Sequence, residues 1–284
     1  MSNGIVSRQN EDGSIAMLAA QRQLYDNAKK FYTLSIALSV WLPFALSVAL
    51  LFVPEVTAIN IALYVVSIIC TVSYIFIEKY IEEKKKLAAF IQQKFDTYVY
   101  TMPWNERIFG RDRNVDHEIA VYSKKILQNP QKRNNLRDWY TPKVDDKNIV
   151  DGILLCQREN LGWDVGLRKR FKVISIVMIV ILCCGVCAMG LWKNEEVIEL
   201  FCRIAFVAPM IKWLADTVRQ LNKDISTLKE LDGKINDGIN KNMDDLQDIQ
   251  KIIYEHRKSC YAIPSCVYRI YKNNDEDTAY REVN

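Results

Sequence analysis

With two histidines in 284 residues, the chain has almost no groups for general acid–base chemistry. It also lacks a glycine-rich phosphate loop, a His-Glu-x-x-His helix and a Gly-x-Ser-x-Gly elbow. Cys260 follows His256 by four residues, a spacing that sets a nucleophile and a base on one helix face, but no third group is at hand to orient them. The bland alternative is that Glu255, His256 and Arg257 anchor a helix end to its neighbours, and the chain reads as no enzyme. Strand patterns are nearly absent too, which excludes the sandwich and barrel classes.

Charge is missing from long stretches, and that absence says most. Residues 31–54 and 56–77 hold no charged side chain, and each run exceeds the roughly 20 residues that cross a hydrocarbon core. Glu55, beside the helix-stopping Pro54, separates them. Residues 173–192 form a third uncharged run, and Lys193-Asn194-Glu195-Glu196 turns it into a weaker fourth over 197–215. The expectation is an all-α membrane protein of two transmembrane helical hairpins, 31–77 and 173–215. A cytoplasmic N-terminal amphipathic helix over 1–30, a cytoplasmic helical region over 78–172 and a cytoplasmic long helix with tail over 216–284 complete it.

Lysine and arginine set the orientation. They crowd the N-terminal arm, both ends of the middle region (Lys84, Lys85, Lys86; Arg168, Lys169, Arg170, Lys172) and the tail, while the short loops contain only Lys193. The positive-inside rule then puts both termini and the middle region in the cytoplasm and both tight turns outside. The first run reads as a retained anchor, since a polar segment of thirty residues precedes it. A net charge of +4 spread over segments beside anionic lipid points to no DNA or RNA partner. Cys156, Cys260 and Cys266 face a reducing compartment, so no disulfide framework is expected. Cys183, Cys184 and Cys187 read either as a metal site or, with Gly185, Ala188 and Gly190, as a small-residue face for close helix packing.

Helical periodicity continues past the apolar runs. Met17, Leu18, Gln21, Leu24, Tyr25 and Ala28 carry it into the first, and Ile81, Leu87, Phe90, Ile91, Phe95 and Tyr98 carry it out of the second until Met102-Pro103-Trp104-Asn105 breaks the helix. One short helix near 115–128, with Asn114 as N-cap, is predicted between loops holding Pro130 and Pro142. Another starts about Asn148 and leads into the third run. Leu214, Val218, Leu221, Ile225, Leu228, Leu231, Ile235, Ile239, Met243, Leu246, Ile249 and Ile253 predict one seam on a helix of about 45 residues, weakened at Gly233 and Gly238.

Polar residues inside the runs are costly to leave unsatisfied in lipid. Thr57, Asn60, Tyr64, Ser67, Thr71 and Tyr74 repeat on one face, which is either an inter-helix hydrogen-bonding stripe or the lining of a pore. Ser35, Ser39, Pro43 and Ser47 draw a second line, with Pro43 a point for a kink. In the fourth run Glu199 and Arg203 sit one turn apart and Lys212 points elsewhere; the cations either snorkel to an interface or line a vestibule.

Ala19-Ala20-Gln21-Arg22-Gln23-Leu24-Tyr25, Met102-Pro103-Trp104-Asn105, Asp138-Trp139-Tyr140, Cys156-Gln157-Arg158-Glu159-Asn160 with Trp163, and Glu255-His256-Arg257 follow one another in the order of the SMODS-associating four-transmembrane effector family, which the chain resembles over nearly its whole length. That resemblance implies a pore-forming effector of bacterial anti-phage defence in the inner membrane, associated with a nucleotidyltransferase that supplies a cyclic oligonucleotide as activating ligand; no other cofactor is expected. A homo-oligomer in the lipid bilayer is expected, with Asn60, Tyr64, Ser67, Thr71, Tyr74 and Arg203 toward the pore. A cyclic di- or trinucleotide needs cations and flat aromatic surfaces on the cytoplasmic side. Trp104 with Arg107, Arg137 with Trp139 and Tyr140, and Arg158 with Trp163 combine them; the alternative is that these aromatics fill a small core. A membrane-anchored scaffold or sensor that conducts nothing remains the other reading of the residues.

Overall fold

The computed structural model describes residues 2–42, 45, 57–193, 197–237, 241–264 and 267. Among them the regular structure is entirely helical. A short helix α1 (Ile5–Gln9) precedes α2 (Asp12–Ile36), whose Leu18, Gln21, Leu24 and Ala28 are buried. The helix widens to π geometry over Ala37–Trp41, just before Pro43, which lies outside the described residues. α3 (Thr57–Val99) runs unbroken from the second apolar run into the body, as the continuing 3-4 periodicity requires.

α3 stops at an unusual residue. Thr101 takes a left-handed φ of 52°, and Met102 N–H donates to the Thr97 carbonyl at 2.9 Å, which closes the helix end before Pro103. Thr101 is a β-branched residue where glycine is the usual choice, so the turn is held by its surroundings. Tyr98 departs from the expected apolar face: it is exposed, and Val99 takes the buried place.

The stretch to residue 148 has more structure than the single expected helix. α4 (Glu106–Phe109), α5 (Asp116–Leu127) and α6 (Pro130–Asn134) follow, then a 3₁₀ turn at Pro142–Asp146. Pro130 and Pro142 open their turns at the first helical positions instead of lying in loops, where their missing N–H is no loss. The N-cap of α5 is Val115 and not the expected Asn114, which stands one residue earlier and accepts from the Asp116 N–H through Oδ1 at 2.8 Å.

α7 (Ile149–Lys193) is continuous through the third apolar run. By length and composition its stretch 149–192 is the one helix among the described residues long and apolar enough to cross a membrane. α8 (Val197–Asn236) carries the fourth run straight into the body. The single 45-residue seam is a correction: the chain leaves α8 at Asn236, and Asn242 starts α9 (Met243–Ser259) with a capping box, its side chain accepting from Asp244 and Asp245 N–H while Asp245 accepts from the Asn242 N–H. The arms fold back on each other, with Leu228, Leu231 and Ile235 packed among Ile249, Ile253 and Leu161.

α2 lies along α3 and α5, α7 lies along α8, and α9 packs on α3, α7 and α8. The main core of the body gathers Ile5, Ile15, Leu18, Phe95, Tyr100, Leu136, Tyr140 and Ile153 from five segments. In the apolar layer Ile36, Val40, Met210 and Leu214 form a smaller core. Outside it Phe76 is 71 % exposed, Ile181 63 % and Trp192 86 %. Cys183, Cys184 and Cys187 are exposed and, among the described residues, nothing lies against Gly185, while Gly190 of the same small-residue face is buried. Among the described residues no group of three or more His, Cys, Asp and Glu side chains gathers to hold a metal.

Candidate functional site

Three of the ordered motifs, at 138–140, 156–160 and 255–257, converge on one buried polar lock. Asp96, fully buried on α3, accepts from Tyr140 Oη at 2.8 Å through one oxygen. Its other oxygen accepts from Gln250 Nε2 at 2.8 Å and Arg257 Nη1 at 2.5 Å, both on α9. The Tyr140 hydroxyl in turn accepts from Tyr100 Oη at 2.8 Å and from Asn160 Nδ2 on α7 at 3.1 Å. Gln157 Nε2 donates to Gln250 Oε1 at 3.1 Å and Gln250 Nε2 to Gln93 Oε1 at 3.0 Å. One carboxylate therefore ties α3, α7, α9 and the 138–140 turn.

The turn that delivers Tyr140 is itself clamped. Asp138 sits at φ 49°, a left-handed conformation that aspartate tolerates, and trades hydrogen bonds with Asn10. The Gln9 amide accepts from Tyr140 N–H at 2.8 Å and donates to its carbonyl at 3.0 Å. Burial, with Asp96 next to it, pushes the Tyr140 hydroxyl well above its ordinary pKa, so it stays a donor. Burial alone would pull the Arg257 guanidinium down; the Asp96 charge outweighs it and holds the cation firmly charged.

A second cluster sits closer to the apolar layer. Arg168 on α7 pairs with Asp224 on α8 at 2.5 Å, both side chains buried, and with Asp164 one turn earlier at 3.0 Å. His256 Nε2 reaches Asp164 at 2.9 Å. Burial favours the neutral Asp164, but Arg168 and His256 reverse the balance and hold its carboxyl well below the usual range. His256 and Arg257 thus anchor the end of α9. The Cys260 thiol four residues on is pushed up by burial, which leaves it protonated and unactivated.

Trp104 lines a shallow groove of about 350 Å³ with Arg8, Lys94, Tyr98 and Asp112. Its indole N–H donates to the Gly110 carbonyl at 2.9 Å, and its ring meets Phe90 edge-on at 5.2 Å. Lys94 Nζ lies 5.9 Å from the Trp104 ring and pairs with Asp112 at 2.6 Å, while Arg113 stands 5.1 Å over Phe90. A larger groove of about 550 Å³ between α8 and α9 is lined by both signs of charge, among them Lys223, Lys251, Glu230 and Asp248.

Of the sequence candidates, Trp104 faces the groove, but Lys94 and Arg8, not Arg107, are the cations beside it. Arg107 and Arg137 are exposed. Trp139 is partly buried against the main core and Tyr140 is inside the lock. Arg158 is exposed and donates to Asn236 Oδ1 at 2.5 Å. The side chains of Trp163, Asn60, Tyr64, Ser67, Thr71, Tyr74 and Arg203 lie outside the described residues. Sequence reasoning missed Gln9, Gln93, Asp96 and Gln250. For the last three the signal was polar residues at helical spacing within apolar faces: Gln93 and Asp96 on α3, and Gln247, Gln250, Tyr254 and Arg257 on α9.

The body is thus all-helical among the described residues, held by buried polar contacts and continued by long helices into apolar segments. The chain belongs to the SMODS-associating 4TM effector domain family, whose sequence profile matches residues 3–284. It is similar to a probable CBASS effector molecule of Bacillus cereus (strain VD146), with 27 % identity over 208 residues that cover 70 % of this chain and 67 % of the relative. No solved structure matches.

Proposed function

We propose that this protein is a multi-pass effector of the bacterial inner membrane that assembles into an oligomer and permeabilises the membrane when a cyclic di- or trinucleotide reaches its cytoplasmic body. A partner nucleotidyltransferase supplies the signal, and growth arrest or death of the infected cell follows. The observation that carries this reading is the continuity of α3, α7 and α8 from a polar-locked body into apolar segments, with large apolar side chains such as Ile69 and Phe76 on α3 and Val180 and Ile181 on α7 exposed. Keeping such side chains in water costs about 1.5–3 kcal/mol each, so the surrounding solvent is lipid. Two hairpins, with both termini and the body cytoplasmic, accommodate the four apolar runs. Membership of the family supports the same reading.

The Trp104 groove is the best-placed receptor for the signal. It offers an aromatic ring with Arg8 and Lys94 for a base and a phosphate, whereas Tyr140 is spent in the lock. The second-span stripe of Asn60, Ser67 and Thr71 then faces the permeation path. The test is dye release from vesicles of phosphatidylethanolamine and phosphatidylglycerol holding the purified full chain, with a panel of cyclic di- and trinucleotides. One nucleotide is expected to accelerate release, and Asn60→Leu, Ser67→Leu or Thr71→Leu to slow it without loss of assembly. Calorimetric binding of a nucleotide with no release from any vesicle would make the protein a non-conducting membrane-anchored sensor.

A further inference from the structure

The segment after α9 touches every one of the four long helices. Cys260 leaves the helix in an extended conformation, and its carbonyl accepts from Lys85 Nζ of α3 at 2.5 Å. At Tyr261 the N–H donates to the Asp224 carboxylate of α8 at 2.8 Å, and the carbonyl accepts from Arg168 of α7 at 3.2 Å. The Tyr261 hydroxyl accepts from Tyr32 Oη of α2 at 2.6 Å and shares a 3.1 Å hydrogen bond with Thr217 of α8. Its ring packs on Phe171 at 5.9 Å, and Ile263 and Val267 join Leu167 and Leu221 behind it.

The contacts fall where the apolar runs meet the body. Tyr32 is at the start of the first, Phe171 just before the third and Thr217 just after the fourth. The side chain is the releasable part of the strap: Tyr261 is only partly buried, and its hydroxyl makes neutral hydrogen bonds, each of modest net worth, whereas its backbone bonds go to charged groups. It is also connected to the lock, because Arg168 binds Asp164, Asp164 binds His256, and the next residue, Arg257, binds Asp96. A displacement of α9 therefore pulls on the strap directly.

We propose that residues 260–264 form a clasp that holds the cytoplasmic ends of the four membrane helices together at rest, and that release of this clasp is the opening step. The proposal rests on the membrane-effector reading above, and two readouts separate them. The full chain is placed in phosphatidylethanolamine–phosphatidylglycerol vesicles with trapped dye and no nucleotide, and amide hydrogen exchange of residues 210–225 is followed on the same samples. Tyr261→Phe keeps the ring but removes its hydroxyl contacts with Tyr32 and Thr217, and Tyr32→Phe removes one of them from the other side. Tyr32→Phe is expected to raise nucleotide-free release about fivefold, the effect of one hydrogen bond on a two-state equilibrium, Tyr261→Phe, which loses two, to raise it more, and Tyr261→Ala to raise it further still. Exchange at 210–225 should quicken in parallel. Wild-type release and exchange in both Tyr261→Phe and Tyr32→Phe, which should fold even if Tyr261→Ala does not, would overturn the clasp. Faster exchange with no release from any variant, with or without nucleotides, would keep the clasp and remove the pore. Nucleotide-triggered release in the wild type with unchanged exchange in the variants would keep the pore and remove the clasp.

Discussion

Replacing Asp96 by asparagine tests the lock at its centre. The side chain is fully buried and accepts from Tyr140, Gln250 and Arg257. Asparagine keeps the volume but removes the only carboxylate paired with Arg257 among the described residues, leaving a buried guanidinium without counter-charge. Breaking a buried pair in this way costs about 3–5 kcal/mol. At about 2–4 °C per kcal/mol, the thermal midpoint falls by roughly 6–20 °C. The assay is thermal unfolding of the detergent-solubilised chain, followed by near-ultraviolet circular dichroism, which reports the packed tyrosines and tryptophans. Arg257→Met in the Asp96→Asn background should cost about 2–3 kcal/mol less than the sum of the single changes, because neither charge is then left alone. Additive effects, or an Asp96→Asn midpoint within about 3 °C of wild type, would refute a dry ion pair at this place.

Gln9→Leu leaves the buried N–H and carbonyl of Tyr140 unpaired and should lower stability by roughly 2–6 kcal/mol, at about 1–3 kcal/mol per group; faster amide exchange at Tyr140 is the local readout. Asp164 makes a prediction about pH. Its folded pKa lies below the ordinary value of 3.8, so its contribution is present above about pH 4 and lost as the pH falls further. Asp164→Asn should therefore be less stable than wild type at pH 7 and lose less stability between pH 5 and 3, as measured by midpoint against pH; parallel curves would argue against a charged Asp164.

The long helices were legible because their 3-4 periodicity does not change where an apolar run meets the body. Leu18, Leu24 and Ala28 on α2 and Ile91 and Phe95 on α3 point inward as that spacing requires. The reversal between Asn236 and Met243 was not legible from periodicity, since the same spacing suits one long seam or two arms that pack on each other. The local signal was the Asn242-x-x-Asp245 capping box. The lock was hidden for a different reason. Nothing in the sequence pairs Asp96 with Arg257 until the fold brings together positions 161 apart. The motif residues Tyr140, Gln157, Asn160 and Arg257 were visible as a set, but burial changes what they do: they hold the body together from inside. Trp104 was visible as an aromatic near a cation, and the fold supplies different cations, Arg8 from α1 and Lys94 from α3.

The account depends most on four crossings with the body on the cytoplasmic side. Protease-cleavable tags at residues 2, 130 and 284 and one after residue 193, each in the full chain in sealed inverted inner-membrane vesicles, test it directly. The first three should be cut by protease added outside such vesicles, where the cytoplasmic face is exposed, and the tag after residue 193 should be cut only once the vesicles are opened. Protection of the tag at 284 with cleavage at 130 would show that residues 197–215 do not cross, and would contradict the two-hairpin account.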